Sequence, residues 1–309
     1  MFTSCESGKD QLKPLPENLL EGYSNFQLYD TVFILNGVDL DDGLTGRWEV
    51  IWSNDIYSLG DSTNPKCQFI GKLLGEYTLR WTVSNGHDEK YEDVEIEIIG
   101  FTDSRDNEQY RAVKIGSQIW MAENLRAIAY QNDELILDGS SIGDYSEITE
   151  PKYWFAYNDN QSDVETYGRL YTWYVIVDSR DISPEGWHIP SDTEWNILEV
   201  YLGMSPESTL VVCEEDNDVA GRLKEVGTEH WNSPNTGATD EFDFSALPSG
   251  YRSSLNKNFA YKGEYACFWS KSEIDKYYAW YRHLYNDKIS ICRTYNYKSY
   301  GFSVRCIKD

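Results

Sequence analysis

The side chains best suited to chemistry in this 309-residue chain are six cysteines, four histidines, one acidic pentad and a dense aromatic run. The cysteines stand at 5, 67, 213, 267, 292 and 306, with no Cys-x-x-Cys pair and no histidine spaced to complete a zinc tetrahedron. Cys267 and Cys292 lie in strand-like stretches that read as neighbours. In an oxidising compartment they are the candidate disulfide, the alternative being two buried free thiols. Glu214-Glu215-Asp216-Asn217-Asp218 offers oxygens that calcium could use, centred on Glu214, Glu215 and Asp216. The pentad lacks the glycine and closing glutamate of an EF-hand loop. A solvated acidic loop that also caps a helix starting near Asp218 accounts for it more simply, and no other cofactor is implied.

His188 is the histidine with the most structured surroundings, between Trp187 and Ile189. Catalysis would need a nucleophile and an orienting carboxylate converging on it. Asp192 and Glu194 are near in sequence, but helix capping explains both, which leaves His188 as a structural residue bonded to backbone. No Gly-x-Ser-x-Gly elbow, phosphate loop or dinucleotide fingerprint occurs, and no catalytic residue is assigned. Tyr277, Tyr278, Trp280, Tyr281, His283 and Tyr285 form the aromatic run. On a strand they split by parity, with Tyr278, Trp280, Arg282 and Leu284 on one face and Tyr277, Ala279, Tyr281, His283 and Tyr285 on the other. One face must be core. The second face makes Tyr281, His283 and Tyr285 the candidate binding residues, with Tyr281 and Tyr285 as platforms for a glycan or peptide, against the plainer reading of core plus ordinary surface.

The elements that must hold these residues are legible to different degrees. Around His188, Pro184 and Gly186 make a turn and Pro190 keeps the preceding residues extended. Ser191 with Glu194 three residues on is a capping box, and Trp195, Leu198 and Leu202 follow on one stripe until Gly203. That predicts a helix over about 192–202. Tyr167 to Val177 reads as a buried helix whose β-branched end leaves a strand open, and Asp218 to Glu225 as a second short helix. Residues 131–150 read as a surface loop, and short strands fill the chain from about 244 onward. Helices followed by antiparallel strands is an α+β arrangement.

Before residue 100 only strand patterns occur. Arg47-Trp48-Glu49-Val50-Ile51-Trp52 and Tyr77 to Ser84 alternate, Asn85-Gly86 marks a hairpin, and Val94, Ile96 and Ile98 alternate with glutamates. This predicts an all-β sandwich over 22–100. Polar turn formers over 100–110 end it, and 101–309 make a second domain. Residues 1–21 read as an N-terminal tether.

Net charge is −25, from 52 acidic and 27 basic residues spread over both halves. A field of that sign repels phosphate backbones and anionic headgroups, so nucleic acid is not an expected partner. No apolar run is long enough to span a bilayer, so any membrane contact comes through a lipid anchor.

Three resemblances extend this reading. Phe2-Thr3-Ser4-Cys5 resembles the end of a bacterial lipoprotein signal, which implies lipidation at Cys5 and export to the outer membrane or cell surface, though the apolar core of a signal peptide is absent before it. Gly46-Arg47-Trp48-Glu49-Val50 with the Tyr77–Gly86 segment resembles PKD-like and immunoglobulin-like modules. Val113-Lys114-Ile115-Gly116, Trp120-Met121-Ala122-Glu123-Asn124-Leu125, Tyr167-Gly168-Arg169-Leu170-Tyr171-Thr172-Trp173, Pro184-Glu185-Gly186-Trp187-His188-Ile189-Pro190-Ser191, Gly221-Arg222-Leu223-Lys224, Ser245-Ala246-Leu247-Pro248-Ser249-Gly250-Tyr251-Arg252 and Gly301-Phe302-Ser303-Val304-Arg305-Cys306 occur in order. Together they resemble the Fibrobacter succinogenes major paralogous domain of Bacteroidota-type surface lipoproteins. That implies a C-type-lectin-like α+β fold after the PKD/Ig-like sandwich. The family often has Cys where Ser183 stands, which implies that Cys306 lacks a partner here. The Glu-Pro-Asn, Gln-Pro-Asp and Trp-Asn-Asp triplets of calcium-dependent lectins are missing. The function so implied is non-catalytic binding at a cell surface, to a glycan or to a surface or matrix protein. The alternatives are an enzyme of the formylglycine-generating type, which needs a reactive thiol pair, and a structural subunit of a surface appendage.

Overall fold

The computed structural model describes residues 12–28, 31–72, 75–140, 142–143, 145, 148–255 and 258–309. Cys5 and the start of the expected tether lie outside the described residues. The chain divides into two compact units, Met1–Phe101 and Thr102–Asp309.

In the first unit alternation sets the architecture. Tyr77, Leu79, Trp81 and Val83 point inward from β6 (Glu76–Ser84), and Val94, Ile96 and Ile98 from β7 (Glu89–Ile98). The two strands are joined through Asn85-Gly86, where Gly86 takes a φ of +84° and the Asn85 carboxamide oxygen accepts the His87 and Asp88 amides. β3 (Thr45–Ser53) pairs antiparallel on the other edge of β6, placing Trp48 opposite Trp81 with ring centroids 5.1 Å apart. β1 (Asn25–Leu28) adds parallel to β7, giving the order β1-β7-β6-β3. β2 (Val32–Ile34), β5 (Gln68–Ile70) and β4 (Ser58–Leu59) form a second, three-stranded sheet. Large rings such as these remove on the order of 150–250 Å² each from water and carry the core of so small a unit.

A short strand, β8 (Gly100–Thr102), lies at the junction. The second unit is also β-rich, built from three sheets with few helices, in which the parallel edge pair Leu137–Asp138 with Tyr153–Phe155 stands among antiparallel ones. β9 (Gln109–Ile115) and β10 (Gln118–Met121) turn on Gly116-Ser117. The last strand of the chain, β21 (Ile307–Lys308), pairs with β10 and with β14 (Trp187–His188). A second sheet runs β11-β12-β13-β20-β15-β16, made of Leu137–Asp138, Tyr153–Phe155, Leu170–Thr172, Gly301–Phe302, Tyr251–Arg252 and Phe259–Ala260. The third is β17 (Tyr265–Glu273), β18 (Tyr278–Tyr285) and β19 (Cys292–Tyr297). The C-terminal strands are thus shared among all three sheets.

Among the described residues four short α-helices interrupt the strands: α1 (Val164–Tyr167), α2 (Trp173–Ile176), α3 (Asp192–Tyr201) and α4 (Val219–Leu223). The continuous helix expected over Tyr167–Val177 is not formed. Gly168, at φ +70°, ends α1, and Leu170–Thr172 pairs with Trp154–Phe155 and Gly301–Phe302 before α2 begins. Sheet pairing of aromatic and β-branched residues overrides the helical spacing there. α3 forms as its caps and stripe dictate. Trp195, Leu198 and Leu202 are buried with Trp120, Phe244, Phe268, Leu284 and Ile307 in the main core, and Trp187 is buried beside it.

Candidate functional site

The turn before α3 gathers four polar side chains. Glu194 accepts from the Ser191 amide and hydroxyl, both at 2.8 Å, and Ser191 Oγ accepts the Glu194 amide, completing the capping box. The other Glu194 oxygen lies 2.9 Å from His188 Nε2, while His188 Nδ1 lies 2.6 Å from Asp309. The histidine is therefore held by two carboxylates rather than by backbone. Burial alone would lower its pKa, but Glu194 and Asp309 outweigh it and the pKa is raised. With both ring nitrogens engaged by carboxylates and the Ser191 hydroxyl turned to Glu194, the cluster contains no base poised over a nucleophile.

α3 has a second stripe that capping arguments alone do not show. Asp192, Asn196 and Glu199 recur at i, i+4 and i+7 and all meet Arg282 of β18, a fully buried guanidinium. Arg293, paired with Arg282 across β18–β19, closes on Asp192 at 2.7 Å. Burial raises the Asp192 pKa, yet its bonds to Arg293 and Arg282 dominate and hold it down; Glu199, deeper, is pushed up by burial against the opposing pull of Arg282. This network fixes how α3 lies on the third sheet.

That packing corrects the expected aromatic platform. Tyr281 and His283 are each only 7% exposed, and Tyr285 is half-buried. Tyr281 packs on Phe302 with centroids 4.4 Å apart, and His283 stacks on Tyr285 at 3.9 Å with Tyr265 edge-on. Burial drives the His283 pKa down to about 3, so its ring is neutral. The middle of β18 is covered on both faces, by α3 on one side and by Phe302 on the other. Strand parity alone could not reveal this, because exposure changes along the strand rather than between its faces. The open rings are at its Tyr278 end, on the face shared with Arg282. Register places Tyr278 opposite Tyr297 and Trp280 opposite Tyr295, and the Arg293 guanidinium lies 3.4 Å from the Trp280 ring centroid. Tyr295 and Tyr297 are 47% and 38% exposed, and neighbouring Tyr277 is 58% exposed.

Tyr277 and Tyr297 also line a groove of about 950 Å³ bounded by residues 148–152, α2 with Val177–Ser179, Ser254–Leu255, Glu273 and Lys298–Ser299. Its floor is Trp173. The Trp173 amide donates to Lys298 O, its indole N–H donates to Ser270 O, and the Lys298 ammonium sits 4.3 Å from its ring centroid. Lys298 is itself neutralised by Glu273 at 2.6 Å, and Lys152 by Asp178 at 2.7 Å. Asp178 is held well below the usual carboxylate range by Arg180 first and Lys152 next. Tyr174, half-buried on the wall, has its pKa raised by burial and then by Glu150 and Glu273, so its hydroxyl remains a donor at neutral pH. The residues of this groove come from six segments between 148 and 299, and of the aromatic run singled out in the sequence only Tyr277 is among them.

The expected Cys267–Cys292 disulfide is not formed; Cys292 is bonded to Cys213. His283 lies opposite Cys267 on one side and opposite Cys292 on the other, so a whole strand separates the two cysteines. Two strand spacings, about 9–10 Å, exceed the reach of a disulfide. The segment ending at Cys213 instead runs along the outer edge of β19, where the Cys213 amide donates to Arg293 O. Cys67, Cys267 and Cys306 are free and buried, and desolvation pushes all three thiols up, away from the thiolate that nucleophilic chemistry uses. Ser183 is buried and its hydroxyl donates to Asp181.

The carboxylates of the acidic pentad diverge. Glu214 accepts the Asp216 amide, Glu215 pairs with Lys288 at 2.8 Å and Asp218 with Arg222 at 3.2 Å. It is the Asn217 carboxamide oxygen, not Asp218, that accepts the Val219 amide at the start of α4. Among the described residues no group of three or more His, Cys, Asp or Glu side chains is gathered as a metal would need.

A β-rich second unit with few helices, carrying an aromatic-walled groove and ion-paired at its rim, is thus the class of module that the geometry defines. The family model of the Fibrobacter succinogenes major domain matches residues 113–308, and the chain belongs to that family. Neither a curated protein nor a solved structure matches the chain.

Proposed function

We propose that this chain is a non-catalytic binding protein of the cell surface, whose second unit takes a glycan or a surface or matrix protein in the groove between α2 and the ends of β17 and β19. The observation that carries the reading is the pair of exposed rings, Tyr277 and Tyr297, on a groove whose floor is fixed by internal bonds and whose Lys298–Glu273 and Lys152–Asp178 charges are already paired. Preset walls of this kind lose little entropy on binding. On the same reading the second unit is a C-type-lectin-like head and the first a PKD-like or immunoglobulin-like stalk, exported and lipid-anchored through Cys5. The two packed sheets of the first unit and the short, loop-linked strands of the second support that assignment.

Arrays of glycans and of extracellular-matrix proteins, probed with the full chain and with the Tyr277→Ala/Tyr297→Ala double variant, test the binding role. Retention of the wild type, with loss in the variant at unchanged near-UV dichroism, is the expected result. Identical retention of both proteins would remove the groove from the proposal.

A further inference from the structure

We infer that the ligand of the α2–β19 groove is an uncharged, hydroxyl-rich oligosaccharide, an inference that rests on the binding role proposed above. The groove contains three acidic and three basic side chains, Glu150, Asp178, Glu273, Lys152, Lys276 and Lys298. Four of these form two internal pairs, Lys298–Glu273 and Lys152–Asp178. The remaining two, Glu150 and Lys276, are opposite in sign. In a chain of net charge −25 this lining is electrically balanced, so its own side chains add no net attraction for an ion of either sign.

A polyanion meets repulsion from the whole molecule on approach and finds no unpaired cluster of cations on arrival. Lys298, the most deeply placed ammonium, is only 4% exposed and is spent on Glu273 and the Trp173 ring. A polycation gains long-range attraction but finds the Glu273 and Asp178 carboxylates already bonded. What the groove offers instead is stacking surface on Tyr277 and Tyr297 and hydroxyl groups. The Tyr174 hydroxyl stays protonated, and the Ser299 hydroxyl lies on the lining, held at 2.7 Å by that of Ser254, which is itself fully buried beneath it. Rings that stack on C–H faces, and donors that also accept, are the complement of neutral sugars. A volume of about 950 Å³ is at the upper end of ligand sites, which run roughly 300–1,000 Å³, and exceeds what a single sugar ring fills.

The test is a glycan array with neutral, uronate or sulfated, and amine-bearing oligosaccharides, followed by titration of the best binder at low and at physiological salt. The inference expects neutral oligosaccharides to be retained with affinity insensitive to salt. Tyr297→Ala and, separately, Tyr277→Ala should each weaken binding roughly tenfold. Both side chains are partly exposed, so two independent variants keep the readout intact if one perturbs the fold. A preference for charged glycans, retention of a protein but no glycan, or neutral binding that both variants leave unchanged would overturn the inference; the first two results leave the binding role standing. Retention of nothing on glycan and protein arrays would overturn both.

Discussion

At the scale of single residues the molecule turns on how charges are neutralised. His188 stands between Glu194 and Asp309, and the two carboxylates raise its pKa against the opposing effect of burial. The folded state thus binds a proton more tightly than the unfolded chain. Its contribution to stability is complete below the unfolded value of about 6.5 and is lost as pH rises through the higher folded value. Urea unfolding of wild type and His188→Gln across that range should show a stability gap that is widest on the acid side and narrows toward alkaline pH; a gap independent of pH would refute the account. The capping role of Glu194 was readable from Ser191-Asp192-Thr193-Glu194, because a capping box is local, but its bond to His188 was not. Nor was Asp309, since 121 positions separate it from His188 and only the β14–β21 pairing brings them together.

At the scale of elements, local grammar succeeded where one element was asked to do one thing. α3 runs Asp192–Tyr201 as its cap and stripe require. Replacing Ser191 by Ala removes one side of the capping box and should lower stability by about 0.5–2 kcal/mol in chemical denaturation. No change in the midpoint would mean that the buried Arg282 network, not the cap, fixes the start of α3. The same grammar failed over Tyr167–Val177, where a strand needed by the second sheet is inserted between two helical turns. It also failed on β18, whose aromatic run serves three roles in eight residues: open rings at Tyr278 and Trp280, a buried cation at Arg282, and a closed ring cluster at Tyr281, His283 and Tyr285. Alternation distinguishes two faces and carries no information about where a covering helix stops. Asp192, Asn196 and Glu199, polar at helical spacing beside an apolar stripe, were the signal that a charged partner lay underneath.

At the scale of the whole molecule, the ordered motifs from Val113 to Cys306 were enough to recognise the family, and several of them fall at turns and strand pairings such as Gly116-Ser117, Trp187–His188 and Gly301–Phe302. The groove was not legible, since its walls are contributed by six segments and its neutrality emerges only from which lysine meets which carboxylate. The bond between Cys213 and Cys292 has a mechanical consequence. It joins positions 79 apart, binding into one loop the residues that run from the end of α3's following turn through α4 to the start of β19. Under tension applied at the two ends of the polypeptide, that loop is shielded from the load and cannot lengthen. The contour gained on complete unfolding should therefore be shorter by roughly 270 Å in oxidised than in reduced protein, a difference single-molecule stretching resolves directly. Equal extensions in the two redox states would show that the load reaches the loop after all.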